Sequence, residues 1–181
     1  MVGDSLSAEY GLPRNTGWVN RLSERLSNER IQYSVINASI SGDTTSGGRA
    51  RLPRLLQTIR PQIVLIELGG NDGLRGLDLD QMQNNLQAMI DASRAERARV
   101  VLIGTRIPPN YGQRYAERFF ESFSVLARRN RIAYVPFLLE GFADRFDLFQ
   151  ADHIHPSEQA QMLMLDNVWP SLRPLLQHPA T

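Results

Sequence analysis

Five residues of the sequence have the types that nucleophilic acyl transfer requires. Ser5 is a candidate nucleophile, but a serine hydroxyl needs a base, an acid that orients the base, and N–H donors for an oxyanion. Asp152 and His155, three residues apart, are the candidate orienting acid and base. Gly42 and Asn71 are candidate oxyanion donors, together with the backbone N–H of Ser5.

The spacing of Asp152 and His155 favours a catalytic pair. Side chains three residues apart lie on the same side of a turn, so the carboxylate can hold one ring nitrogen while the other faces Ser5. His153 is the rival base, but it directly follows Asp152 and is expected to point elsewhere. Two competing interpretations are that both histidines cap the last helix and that they form a metal site with Asp152. No further ligand cluster lies nearby in the sequence, so we expect no metal and no cofactor.

Composition indicates one globular domain over residues 1–181. The chain is 42% hydrophobic and 22% charged, its net charge is +1, and it has no cysteine. These values exclude disulfides and argue against nucleic-acid binding. No apolar run approaches the roughly 20 residues of a membrane span. Only Met1 and Val2 precede Gly3, so we expect the natural chain to extend upstream with the rest of a first strand and an export signal.

Hydrophobic periodicity predicts alternating strands and helices along the chain. After a short first strand ending at Gly3, apolar runs predict strands over 33–38, 62–68, 100–104 and 132–135. Helical spacing predicts helices over 17–29, 79–95 and 113–129, a helical stripe over 52–59, and a short helix over 138–143. A last helix is expected to begin at Pro156 and to bend or end at Pro170.

This alternation predicts an α/β fold with three layers, α/β/α. We expect a flavodoxin-like parallel sheet of about five strands in the order 2-1-3-4-5, with the first strand truncated. Sites in such sheets lie beyond the carboxyl ends of the strands. The loops at those ends carry Ser5, Gly42, Asn71 and the 152–155 segment, so the sequence predicts that they converge. Asp4, Asp43 and Asp72 are expected to shape these loops.

The substrate side of the site is predicted from apolar residues near strand ends. The proline pair and Tyr111 are the strongest candidates, because prolines fix a loop and an exposed aromatic ring offers a face to an acyl or aryl group. Most apolar residues are core, so only some are expected to line a cleft. The candidates are Leu74, Ile107, Pro108, Pro109 and Tyr111, with Phe137 and Phe142 further along the chain.

Four motifs, in this order, resemble the SGNH (GDSL) hydrolase family over nearly the whole chain. They are Gly3-Asp4-Ser5-Leu6, Ser41-Gly42-Asp43-Thr44, Gly69-Gly70-Asn71-Asp72 and Asp152-His153-Ile154-His155-Pro156. Three longer stretches, 37–44, 67–76 and 108–112, resemble its bacterial multifunctional thioesterase, arylesterase and lysophospholipase branch, which is usually exported to the periplasm.

The resemblance implies a serine esterase acting on esters and thioesters, with Ser5 as nucleophile, His155 as base and Asp152 as orienter. It implies an oxyanion hole of Ser5, Gly42 and Asn71, and a periplasmic or secreted location. His153 stands where the family usually has glycine. Two competing hypotheses are a carbohydrate O-acetylesterase and a non-catalytic glycan- or lipid-binding module. We expect small acyl esters or thioesters as substrates, no nucleic-acid partner, and a monomer.

Overall fold

The computed structural model describes residues 1–177, in which four parallel strands form one sheet with helices on both faces. Neighbouring strands follow one another in sequence order, from β1 to β4. The register pairs Val2 with Ile66 and Ile63 with Arg99. The strands are β1 (Val2–Gly3), β2 (Ile63–Glu67), β3 (Arg99–Ile103) and β4 (Ala133–Val135).

Six α-helices and three short 3₁₀ helices surround the sheet among the described residues. None of the helices is long and apolar enough to cross a membrane in this part of the chain. The α-helices are α1 (Trp18–Asn28), α2 (Thr45–Ile59), α3 (Gly70–Leu74), α4 (Leu79–Ala95), α5 (Gln113–Asn130) and α6 (Gln161–Leu176). The 3₁₀ helices are Pro109–Tyr111, Phe146–Leu148 and Glu158–Ala160.

Alternation along the buried strands divides the core into two layers. Successive side chains of a strand point to opposite faces of its sheet. Val64 and Ile66 of β2 therefore pack against α2, α4 and α5, whereas Leu65 packs against α1 and α6. This arrangement is the predicted three-layer α/β/α fold, in which strands buried on both faces read as continuous apolar runs.

The predicted strand over 33–38 is not formed, so the sheet has four strands rather than five. Residues 36–40 nevertheless run beside residues 1–3. The Met1 nitrogen donates to the Ile36 carbonyl, and the carbonyls of Met1 and Gly3 accept the amides of Ala38 and Ile40. The Ala38 carbonyl, which would continue this ladder, is occupied by the guanidinium of Arg51. β1 has two residues, too few to partner a full strand.

Two further predictions, the start of the last helix and the short helix over 138–143, are wrong. The last helix begins at Gln161 rather than at Pro156, which instead bridges Phe149. It also does not end at Pro170, one of the two effects predicted for that residue, but continues to Leu176. A proline in a helix removes one backbone hydrogen bond, but the buried face of α6 packs against the sheet and α1 and holds the helix together. Residues 138–143 form turns instead of a short helix.

The first and last long helices are joined by polar contacts as well as by the core. The Trp18 amide at the start of α1 donates to Gln161 Oε1 of α6 at 2.9 Å. Arg25 pairs with Asp166 at 2.6 Å, and its guanidinium lies over the Trp169 ring. These contacts hold the segment after Ser5 close to the segment after His155.

Candidate active site

Ser5 lies in a tight turn directly after β1. The amides of Ser7 and Ala8 donate to the Asp4 carbonyl, and the Leu6 amide donates to Asp4 Oδ1 at 3.0 Å. A Cβ on Gly3 would lie 2.8 Å from Glu67 Oε2, so only glycine lets the strand approach this carboxyl before the turn. The turn holds Ser5 half-buried at the carboxyl end of the sheet.

Asp152, His155 and Ser5 form a continuous line of contacts. His155 Nε2 lies 2.9 Å from Ser5 Oγ, and His155 Nδ1 lies 2.6 Å from Asp152 Oδ2. The amides of Ile154 and His155 both donate to Asp152 Oδ1 at 3.0 Å. Burial raises the pKa of Asp152, but the hydrogen bonds from His155 and Ile154 outweigh it and lower this pKa to about 2. Asp152 is therefore a carboxylate at neutral pH.

His153 points away from Ser5. Its backbone has φ of 54°, in the left-handed region that favours glycine, and its amide donates to the Gln150 carbonyl. Its ring packs edge-on against Phe146 with the centroids 5.3 Å apart. The left-handed conformation explains why a glycine suits this position.

Asn71 joins the segments that carry Ser5 and Gly42. Its Nδ2 donates to Asp4 Oδ2 at 3.1 Å and to the Asp43 carbonyl at 2.9 Å. Gly42 has φ of 78°, which explains the glycine there. Within residues 1–177, the amides of Ser5 and Gly42 donate to no other group, whereas both hydrogens of Asn71 Nδ2 have acceptors. Donation by Asn71 to an oxyanion therefore requires that it share or exchange one of these bonds.

Charged side chains brace the loops around Gly42 and Asn71, as predicted for Asp43 and Asp72. Arg51 Nε pairs with Asp43 Oδ2 at 2.8 Å, and its Nη2 donates to the Gly3 carbonyl at 3.4 Å. Asp72 accepts the Thr45 amide at 2.9 Å and the Thr45 hydroxyl at 2.5 Å, at the start of α2. These carboxylates hold loops and do not contact Ser5.

A pair of buried acids lies beneath the Ser5 turn. Glu67, the last residue of β2, accepts the Ser7 hydroxyl at 2.7 Å and the Asp4 amide at 3.4 Å on the same oxygen. Burial, and then the charge of Asp4, raises the pKa of Glu67 well above its ordinary range. Burial raises the pKa of Asp4 to about 6, against hydrogen bonds from Leu6 and Asn71. Sequence reasoning missed Glu67, although an acid inside an apolar strand was a usable signal.

The predicted substrate residues divide into exposed and buried ones. Leu74, Pro108, Pro109 and Tyr111 are exposed. Arg75, next to Leu74, donates to the Gly42 carbonyl at 3.1 Å, which brings this segment to the candidate oxyanion donors. The remaining candidates, Ile107, Phe137 and Phe142, are buried in the core, Ile107 with 7% of its surface exposed, and have little area to offer a substrate.

Tyr10 is a site residue that sequence reasoning missed. Its ring centroid lies 4.4 Å from that of His155, with the planes tilted by 39°, and 51% of its surface is exposed. Gln150 fixes this contact: its side-chain amide donates to the Tyr10 carbonyl and its backbone amide donates to the His155 carbonyl, both at 2.8 Å. The one feature of the sequence that could have indicated this contact is that Tyr10 closely follows Ser5, in the same turn.

The described residues contain no cluster of three or more histidine or acidic side chains placed to hold a metal ion. Asp152 and His155 contact each other, whereas the ring of His153 packs on Phe146. The arrangement thus offers a serine hydroxyl, a hydrogen-bonded imidazole and free backbone amides, which is the equipment for acyl transfer.

Comparison with known proteins agrees with this chemistry. Residues 1–163 match the model of the GDSL-like lipase/acylhydrolase family. Esterase TesA of Pseudomonas aeruginosa is 52% identical over 176 residues, which is 97% of this chain and 88% of that protein. An arylesterase of Vibrio mimicus is 42% identical, over 89% of this chain and 80% of that protein.

Two further comparisons extend the similarity to function and to three dimensions. The thioesterase 1/protease 1/lysophospholipase L1 of Escherichia coli K12 is 39% identical, over 98% of this chain and 84% of that protein. A crystal structure of TesA superposes with a TM-score of 0.93, covering 96% of this chain and 97% of the other, at 52% identity. The similarity therefore includes the loops as well as the sheet.

Proposed function

Because the chain belongs to the GDSL-like lipase/acylhydrolase family and is an ester hydrolase, we propose that it cleaves carboxylic esters and thioesters through an acyl-enzyme on Ser5. The observation that carries this proposal is the line of contacts from Asp152 through His155 to Ser5, at 2.6 and 2.9 Å. Both distances lie within hydrogen-bond reach, as proton transfer requires.

Acylation begins when Ser5 Oγ attacks the carbonyl carbon and its proton passes to His155 Nε2. The carbonyl electron pair moves to the oxygen. This oxyanion accepts hydrogen bonds from the backbone amides of Ser5 and Gly42 and from the side-chain amide of Asn71. The tetrahedral intermediate then collapses, the bond to the leaving alcohol or thiol breaks, and His155 returns the proton to it. Asp152, ionised, holds the Nδ1 proton so that Nε2 is free to accept.

Deacylation repeats these steps with water. His155 takes a proton from water, the hydroxide attacks the acyl carbon, and the second intermediate expels Ser5 Oγ, which regains its proton. The products are a carboxylic acid and the free enzyme, and no cofactor or metal takes part.

The proposed substrates are small acyl esters and thioesters, including aryl esters, acyl thioesters and lysophospholipids. The names of the relatives from Vibrio mimicus and Escherichia coli support this range. Leu74, Pro108, Pro109 and Tyr111 would contact the acyl group, because they are exposed and apolar, and because Arg75, next to Leu74, binds the Gly42 carbonyl. Apolar contacts of this kind favour acyl chains over the hydroxyl-rich surface of a carbohydrate.

We also propose a periplasmic monomer, on the resemblance of the motifs to the exported branch of the family. Fractionation of cells that express the native gene tests the location, and sedimentation of the purified protein tests the monomer. Recovery in the cytoplasmic fraction, or a stable dimer, would contradict the respective proposal.

Replacement of Ser5 by alanine tests the catalytic proposal. Ser5→Ala should abolish hydrolysis of phenyl butyrate and labelling by a fluorophosphonate, because the nucleophile is gone, while circular dichroism remains unchanged. Ser46→Ala, at an exposed serine of α2, is the matched control and should behave as wild type. Turnover that survives in Ser5→Ala would refute the assignment.

A further inference from the structure

The exposed ring of Tyr10 lies against the base rather than against the oxyanion donors. Its centroid is 4.4 Å from that of His155. Two loops make this contact, and Gln150 ties them together through the Tyr10 carbonyl and the His155 carbonyl. Half of the tyrosine surface, 51%, remains open to solvent, so the ring has a face to offer to a ligand.

The chemistry of acyl transfer decides which part of a substrate meets this ring. The carbonyl oxygen must face the donors at Gly42 and Asn71. The leaving oxygen or sulfur must lie within hydrogen-bond reach of His155 Nε2, because that nitrogen returns the proton to it. The group attached to the leaving atom therefore lies on the side of the imidazole, next to Tyr10.

We propose that Tyr10 forms the subsite for the leaving alcohol or thiol and favours flat, apolar leaving groups such as phenols. The proposal rests on the acyl-enzyme mechanism through Ser5. Aromatic rings attract one another in tilted or offset arrangements with centroids 4.5–7 Å apart, by roughly 0.5–1.5 kcal/mol beyond the area that they bury. An aryl leaving group beside His155 meets these conditions on the open face of Tyr10.

Orientation of His155 does not require Tyr10. Asp152 binds one nitrogen of the imidazole at 2.6 Å and Ser5 contacts the other at 2.9 Å, so both ring nitrogens already have a partner that orients the ring. The His155 amide is also held by Asp152. Within residues 1–177, the Tyr10 hydroxyl makes no hydrogen bond, so the ring serves as a surface and not as a link in a network.

A pair of esters with the same acyl group isolates the role of Tyr10. Phenyl butyrate and ethyl butyrate form the same acyl-enzyme but differ in the leaving group. Tyr10→Ala should lower kcat/KM for phenyl butyrate by about 2- to 12-fold, the size of one lost aromatic contact, and leave ethyl butyrate within about 2-fold. The rate of deacylation, measured in a single turnover, should not change, because the leaving group has already departed.

Two further variants complete the design. Tyr10→Phe keeps the ring and should behave as wild type on both esters, which also covers the case in which the alanine variant fails to fold. Tyr111→Ala, at an exposed aromatic on the proposed acyl side, should affect both esters equally.

The outcomes separate the subsite from the mechanism on which it rests. Equal losses on both esters in Tyr10→Ala, with slower deacylation, would show that Tyr10 orients His155 and would overturn the subsite. Unchanged kcat/KM for phenyl butyrate would overturn it as well. The acyl-enzyme mechanism itself is tested separately with Ser5→Ala. Fluorophosphonate labelling or ester turnover that survives in that variant would contradict the mechanism, whatever the result for Tyr10.

Discussion

Replacement of Glu67 by glutamine should stabilise the protein at neutral pH. Glu67 is fully buried at the end of β2, and one of its oxygens accepts the Ser7 hydroxyl and the Asp4 amide. A glutamine carbonyl can accept both bonds in the same place. The variant differs from the wild type chiefly in that it cannot ionise, so it isolates the cost of burying a titratable group.

The pKa of Glu67 sets the sign and size of the effect. Burial raises this pKa in the folded state well above the ordinary 4.5, so the unfolded chain loses the proton at a lower pH than the folded one. The contribution of Glu67 to the stability of the wild type is therefore fully present below pH 4.5 and is lost at about 1.4 kcal/mol per pH unit above it, until the pH reaches the folded pKa. Over the same pH range, the unfolding free energy of Glu67→Gln should rise relative to that of the wild type by about 1.4 kcal/mol for each pH unit.

Urea denaturation from pH 4 to pH 8 measures this difference. Tryptophan fluorescence reports unfolding, because Trp18 is fully buried. Glu121→Gln, at an exposed acid of α5, is the control and should follow the wild type at every pH. Parallel curves of unfolding free energy for wild type and Glu67→Gln would mean that Glu67 is ionised in the folded protein, and would refute the reasoning.

Three other changes test the site and its support. Asn71→Ala should lower kcat for phenyl butyrate by about 10²–10³, as lost oxyanion donors do; an unchanged kcat would remove Asn71 from the oxyanion hole. Asp152→Asn should lower kcat by up to about 10⁴, because the imidazole loses the carboxylate that fixes its tautomer; near-normal kcat would contradict that role. Gly48→Ala should lower the urea unfolding free energy by about 1–3 kcal/mol, because its Cβ would overlap Leu68, and equal midpoints would contradict the close packing.

Local patterns predicted the elements that carry long apolar stripes. The helix predicted over 79–95 is α4, and the run at 62–68 contains β2, because burial of a continuous apolar face decides both structures. The order of the polar loops also predicted that Asn71 would lie near Ser5 and Gly42, since parallel strands end at one edge of the sheet.

Predictions failed where one segment depends on another. Residues 33–38 have strand-forming side chains, but the neighbouring strand is too short to pair with them, and Arg51 occupies a carbonyl of the ladder. Pro170 has the local properties of a helix end, yet α6 continues because its buried face packs on other elements. The contacts of Glu67 and Tyr10 cross between loops and layers, and no local pattern encodes them.

The contact between His155 and Ser5 joins residues 150 positions apart. Closing a loop of that length costs roughly 4 kcal/mol of chain entropy. The sheet and the packing of α1 against α6 must therefore form before the imidazole and the hydroxyl remain together. During refolding, esterase activity should thus return only after the sheet, α1 and α6 have packed together, and later than the formation of any single helix. During synthesis, Ser5 leaves the ribosome well before His155 and stays inactive until α6 has been made and has docked.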